Sequence, residues 1–101
     1  MKNIMLVCSA GMSTSLLVTK MYAAALKSKS QVKIFAVSEA DSKNYTDVDV
    51  VLLGPQVRYL LSKMQAVMQP KGVPVAVIDT MDYGTMNGEA VLKQALELIK
   101  E

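Results

Sequence analysis

The residues of this chain that could do chemistry are concentrated between positions 8 and 15. Cys8 is the only cysteine of the 101 residues, and Gly11 follows it three positions later. Four hydroxyl side chains share the stretch: Ser9, Ser13, Thr14 and Ser15. An apolar run precedes this stretch and a helical pattern follows it, which predicts a transition from a strand through a loop to a helix. The unpaired N–H groups and the positive dipole end at the start of such a helix attract anions. A thiol at that place is the nucleophile that phosphate chemistry requires.

The simpler alternative gives these residues structural roles only. Cys8 would then be a small apolar side chain at the end of a strand, and the hydroxyls would cap a helix. We favour the phosphate site because Gly11 and its small neighbours let successive backbone N–H groups point toward one anion.

Composition excludes several other functions. The chain has no histidine, which removes Cys-His and Ser-His catalysis and the usual zinc sites, so we predict neither a metal nor a cofactor. A net charge of +2, with Arg58 as the one arginine, argues against nucleic-acid binding. No apolar run reaches the ~20 residues that span a bilayer, and the start does not resemble a signal peptide. A lone cysteine suits the reducing cytosol.

Strand and helix patterns alternate along the chain. Short apolar runs predict four strands: Lys2–Val7, Val32–Val37, Val48–Leu53 and Val73–Ile78. Helical spacing predicts a helix from Thr14 to about Ser28 and one turn within Ser38–Asn44 capped by Ser38. After the turn at Gly54–Gln56, where Pro55 suits the first helical position, a helix runs to about Met68. A last helix has Val91, Leu92, Ala95, Leu96 and Ile99 inside. The length of 101 residues predicts one domain over residues 1–101, and right-handed crossovers between its strands give a parallel sheet covered on both faces. We predict an α/β fold, a doubly wound four-stranded parallel sheet in the order 2-1-3-4 with helices on both faces.

Three polar stretches follow the first, third and fourth strands: Cys8–Ser15, Gly54–Gln56 and Asp79–Gly84. Ligands of such sheets bind at the carboxyl ends of the strands, so the three loops should meet at one site. We therefore take Gln56, Asp79 and Tyr83 as supporting residues. Asp79 or Asp82 could be a general acid, a helix cap or a solvated side chain, and Tyr83 could cover the site, touch a partner or lie at the edge of the core.

The loop resembles two known families. Cys8 and Thr14 occupy the ends of a pattern similar to the Cys-x5-Arg loop of low-molecular-weight tyrosine phosphatases and related arsenate reductases. Thr14 stands where those enzymes have arginine, so the guanidinium that would grip the phosphoryl group is missing. The predicted fold resembles theirs, but a phosphatase or arsenate reductase is only the alternative function.

The closer resemblance is to the enzyme IIB component of the lactose/cellobiose (chitobiose) class of the bacterial phosphoenolpyruvate-dependent sugar phosphotransferase system. It is carried by the run Cys8–Leu17, by Val50–Gln56, and by Val77–Asp79 with Tyr83 and Gly84. The likeness extends over essentially the whole chain.

This resemblance implies a transferase that relays phosphate through a phosphocysteine. Cys8 would accept a phosphoryl group from a phosphohistidine of the IIA protein and donate it to a sugar, cellobiose or a related β-glucoside or chitobiose, bound by the membrane permease IIC. The phosphate-binding loop would consist of Ser9, Ala10, Gly11, Met12, Ser13, Thr14 and Ser15. A bacterial, cytoplasmic monomer suffices for this role. Met12 and Leu16 could contact the partners, although Met12 could equally fold back on the core. A non-catalytic α/β binding or regulatory module, in which Cys8 has no chemical role, is the third hypothesis.

Overall fold

The computed structural model describes residues 1–8, 14–45 and 47–99. Its core is a four-stranded sheet made of β1 (Lys2–Cys8), β2 (Val32–Ser38), β3 (Val50–Leu53) and β4 (Val75–Val77). All neighbouring strands are parallel, and their order is β2-β1-β3-β4. The predicted fold class and strand order are confirmed, and β1 lies centrally between β2 and β3.

The described residues form five α-helices that connect or follow the strands: α1 (Thr14–Lys27), α2 (Glu39–Ser42), α3 (Leu61–Met68), α4 (Thr80–Gly84) and α5 (Gly88–Leu98). Ser38 caps α2 as predicted, because its hydroxyl accepts a hydrogen bond from the Asp41 N–H. Short 3-10 segments occupy Pro55–Leu60 and Gln69–Lys71. No helix in the described part of the chain is long and apolar enough to cross a membrane.

The sheet carries a separate apolar core on each face. Side chains alternate along β1, so Ile4 and Leu6 join one core while Met5 and Val7 join the other. The first core is closed by α1 and α5, and the second by α3 and the 3-10 segment before it. Because both faces are covered, the inner strands are apolar throughout, as the sequence indicated.

Beyond shifts of one residue at the ends of elements, three predicted elements differ from the structure. The third strand begins at Val50 instead of Val48, because the carboxylate of Asp49 accepts the Asn3 N–H at 2.7 Å in place of a backbone partner. The fourth strand is confined to Val75–Val77, and it cannot begin at Pro74 with a backbone hydrogen bond because proline has no N–H to donate. This strand lies at the edge of the sheet, as Pro74 led us to predict.

The third predicted helix is also in two parts. A 3-10 segment begins at Pro55, and a non-helical Val57 (φ −116°, ψ 26°) interrupts it before α3 starts at Leu61. Helical spacing does not distinguish the two kinds of turn, because both repeat every three to four residues.

Candidate active site

Cys8 is the last residue of β1 and is half-buried. The alternation along β1 directs its side chain toward the face covered by α1 and α5. Its Sγ lies 3.9 Å from the carbonyl oxygen of Val37 on β2, a contact that is weak even for a thiol donor. The thiol thus stands at the carboxyl edge of the central strand.

The helix that follows the thiol begins six positions later. α1 starts at Thr14, and its first turn carries no acidic side chain that would compete for the N-terminal N–H groups. Ser15 and Leu16 in that turn are exposed. The predicted phosphate-loop residues Ser9, Ala10, Gly11, Met12 and Ser13 lie outside the described residues.

Gly54, at the end of β3, lies directly beside the end of β1. Its N–H donates to the carbonyl oxygen of Val7 at 2.8 Å, and Val7 pairs with Leu53 in the register of the two strands. Gly54 is buried, and a Cβ built on it would lie 2.7 Å from Oε1 of Gln56. The Gln56 side chain therefore folds back over this glycine.

Gln56 is joined to the loop after β4 by a hydrogen bond. Its Nε2 donates to the hydroxyl of Tyr83 at 3.0 Å. Tyr83 belongs to α4, and its ring is buried in the core that α1 and α5 cover. Two of the three supporting residues named from the sequence are thus in contact with each other, and they lie beside the strand that ends in Cys8.

Asp79, the third supporting residue, caps a helix. Its Oδ1 accepts the N–H groups of Met81 at 2.9 Å and Asp82 at 3.2 Å, at the start of α4. Of the roles that the sequence left open for Asp79, this geometry favours the cap. Within the described ranges, no three histidine, cysteine, aspartate or glutamate side chains gather where they could hold a metal ion.

Exposed apolar side chains occur on the segments that follow β1, β3 and β4. Leu16 on α1 is 50% exposed, Tyr59 in the 3-10 segment after β3 is 72% exposed, and Met81 on α4 is 75% exposed. The sequence singled out Leu16 but missed Tyr59 and Met81, because one apolar residue at a helical position does not reveal its exposure. A groove also lies elsewhere, between the end of α1 and α5, where Lys27 and Leu92 line it.

Comparison with known proteins agrees with this arrangement. Residues 3–94 match the family described as the lactose/cellobiose-specific IIB subunit of the phosphotransferase system. The chain is 43% identical to the oligo-β-mannoside-specific EIIB component of Bacillus subtilis, with 98% of this chain and 97% of that protein covered. It is 44% identical to the galactose-specific EIIB component of Lactococcus lactis subsp. cremoris, with 97% and 96% covered.

A solved structure supports the same assignment. The solution structure of the cellobiose-specific phosphotransferase IIB component from Borrelia burgdorferi superposes with a TM-score of 0.78 at 43% identity, covering 97% of this chain and 91% of that one. From the family match, the near full-length relatives and the shared fold, the chain belongs to the lactose/cellobiose-specific IIB subunits of the sugar phosphotransferase system.

Proposed function

We propose that Cys8 carries a phosphoryl group between two partner proteins. A phosphohistidine of a IIA protein is the donor, and a sugar bound by a membrane IIC permease is the acceptor. The observation that carries this proposal is the place of Cys8, the chain's one thiol, at the carboxyl end of the central strand and six residues before the N-terminus of α1. The chain lacks histidine, so the donor imidazole has to come from another protein.

The chemistry is two successive transfers of one phosphoryl group. In the first, the Cys8 thiolate attacks phosphorus, the S–P bond forms, the P–N bond of the donor breaks, and the departing imidazole nitrogen retains the electron pair. In the second, a sugar hydroxyl oxygen attacks phosphorus, the S–P bond breaks, and the thiolate leaves while the hydroxyl proton passes to a base on the IIC side or to solvent. Both steps rely on positioning and charge stabilisation more than on proton transfer by this chain.

In this proposal the phosphoryl oxygens are held by backbone N–H groups and hydroxyls of residues 9–15. The N-terminus of α1 supports the arrangement, because its unpaired N–H groups and positive dipole end favour the roughly −1.5 to −2 charge of a bound phosphoryl group. The protein acts on the cytoplasmic side as a single domain, and a monomer suffices because both partners use the same edge in turn.

The proposed sugar is cellobiose or a related β-glucoside or chitobiose. The names of the similar proteins give oligo-β-mannoside, galactose and cellobiose at 43–44% identity, so identity alone does not choose among them. Sugar recognition is assigned to the permease, because exposed apolar side chains such as Leu16, in the first turn of α1, suit a protein partner.

The test is phosphorylation in a reconstituted system. The chain is incubated with phosphoenolpyruvate, the general phosphotransfer proteins and a IIA protein of the lactose/cellobiose class, and its intact mass is measured. We expect one added phosphoryl group on the wild type and none on Cys8→Ser. A phosphoryl group that persists on Cys8→Ser would contradict the proposal. Release of free phosphate from an aryl phosphate by the isolated chain would instead support the phosphatase alternative.

A further inference from the structure

Gly54 and Cys8 occupy equivalent positions on adjacent strands. Val7 and Leu53 are the last registered pair of β1 and β3, and the Gly54 N–H bonds the Val7 carbonyl one step beyond them. Because side chains alternate along both strands, Cys8 and a side chain at Gly54 would point to the same face, about 5 Å apart. The missing side chain of Gly54 therefore leaves space on the β3 side of Cys8, while Sγ contacts the Val37 carbonyl on the β2 side.

The carboxamide of Gln56 fills that space. Its Oε1 lies 2.7 Å from the point where a Cβ on Gly54 would stand, and Cε1 of Tyr83 lies 3.7 Å from the same point. Its Nε2 donates to the Tyr83 hydroxyl at 3.0 Å. Because the Tyr83 ring is buried and only 8% exposed, this hydroxyl is a fixed anchor for an otherwise exposed glutamine.

We infer that Gln56 forms one wall of the phosphoryl site on Cys8 and donates its second Nε2 hydrogen to a phosphoryl oxygen. A carboxamide nitrogen carries two hydrogens, and the bond to Tyr83 uses one of them. Tyr83 is then a positioning residue that acts through Gln56, and Gly54 is required because any side chain there would displace the amide. This inference rests on the proposed function, since it assumes that Cys8 carries the phosphoryl group.

A neutral donor at this place suits a relay. A hydrogen bond to a charged acceptor is stronger than one between neutral groups, so the amide favours the phosphorylated state. A guanidinium in a bidentate grip would stabilise the charge that develops during hydrolysis as well. Gln56 therefore favours retention of the phosphoryl group while leaving transfer to the geometry of the partner.

The experiment measures how phosphate divides between this protein and its donor. Equal amounts of the chain and a phosphorylated IIA protein of the lactose/cellobiose class are brought to equilibrium, and both phosphoproteins are quantified by intact mass. The ratio reports the free energy of the phosphocysteine and is independent of how well the partners dock. We expect Gln56→Ala to lower the equilibrium constant roughly 10- to 100-fold, and Gln56→Glu to lower it at least as much.

Gly54→Ala tests the geometry directly. The backbone at Gly54 (φ −62°, ψ 149°) accepts alanine, and the atom that a Cβ meets is the movable end of Gln56. Gly54→Ala should fold, displace the Gln56 amide and lower the phosphoryl-transfer equilibrium constant as much as Gln56→Ala does. The double variant Gly54→Ala/Gln56→Ala should show no further decrease in that constant. Tyr83→Phe should give a smaller decrease. The control is Gln69→Glu, which adds the same negative charge as Gln56→Glu but in the 3-10 segment after α3, at the opposite end of the sheet. It should leave the ratio of the two phosphoproteins unchanged.

The outcomes separate this inference from the proposed function. If the wild type accepts no phosphate from IIA, the relay itself is wrong and the inference falls with it. If the wild type is phosphorylated and the Gln56 variants, folded by circular dichroism, retain the wild-type constant, the inference alone is wrong. Additive losses from Gly54→Ala and Gln56→Ala would also overturn it, because the glycine would then act by another route.

Discussion

Gly88→Ala should destabilise the protein more than any other single-methyl addition at a described glycine. Gly88 is the first residue of α5, at the point where α5 packs on α1. A Cβ there would lie 2.4 Å from the carbonyl carbon of Lys20, and 2.6 Å from both the Lys20 oxygen and the Met21 nitrogen. These atoms are backbone in the middle of α1, so no side-chain rotation can relieve the overlap.

The magnitude follows from the displacement that the new methyl group demands. Restoring an ordinary contact of ~3.4 Å requires the helices to separate by about 1 Å, and a gap of that size forfeits a quarter to a half of each dispersion contact. The interface that would open includes Met21, Val91 and Leu92, all buried. Overpacking of this kind costs about 1–3 kcal/mol, occasionally more, and we expect about 3 kcal/mol because only backbone can yield.

Thermal unfolding followed by circular dichroism provides the assay. For a domain of this size each kcal/mol shifts Tm by about 4–8 °C, so Gly88→Ala should lower Tm by roughly 12–24 °C. Gly84→Ala is the matched control, because a Cβ at Gly84 in α4 meets nothing within 4 Å and alanine favours helix. A Gly88→Ala protein that melts within ~3 °C of the wild type would refute the close approach of α5 to α1.

Two further variants test local features. Lys29 has φ 58° just after α1, where the Ser30 N–H donates to the Ala25 carbonyl in a Schellman-type helix end. Because this conformation strains a residue that has a Cβ, Lys29→Gly should raise the free energy of unfolding by about 0.5–1 kcal/mol in urea titrations. A decrease would contradict the strain. Asp79→Ala should lose the α4 cap and about 1 kcal/mol, whereas Asp79→Asn should keep both stability and phosphoryl transfer. Loss of transfer in a stable Asp79→Asn protein would instead indicate a proton-transfer role.

Local sequence patterns predicted which strands and long helices form better than they predicted interruptions and short helices. The apolar runs identified all four strands, and the position of Cys8 between an apolar run and a helical pattern identified the transition from β1 to α1. The break at Val57 and the short helix α4 were not predicted. Both depend on where the preceding strand ends in the folded sheet, and residue spacing does not contain that information.

In the candidate site, too, the sequence indicated the residues but not their contacts. Gln56 and Tyr83 were named because each follows a strand, but nothing in the sequence indicated that they bond each other or that Gln56 lies over Gly54. The sequence allows three roles for Asp79, and the positions of the Met81 and Asp82 N–H groups favour the helix cap.

The sequence by itself predicted the fold class and the family, because residue periodicity and the Cys8 motif are properties of short segments. The strand order followed from general rules of α/β topology, which place the strand that carries the functional loop centrally. The tertiary structure alone decided which distant residues meet. Gly54 stands beside Cys8 because β1 and β3 are neighbours in register, and Gly88 must lack a side chain because α5 crosses α1 at Lys20. Such contacts join residues tens of positions apart, and they exist only once both faces of the sheet have been packed.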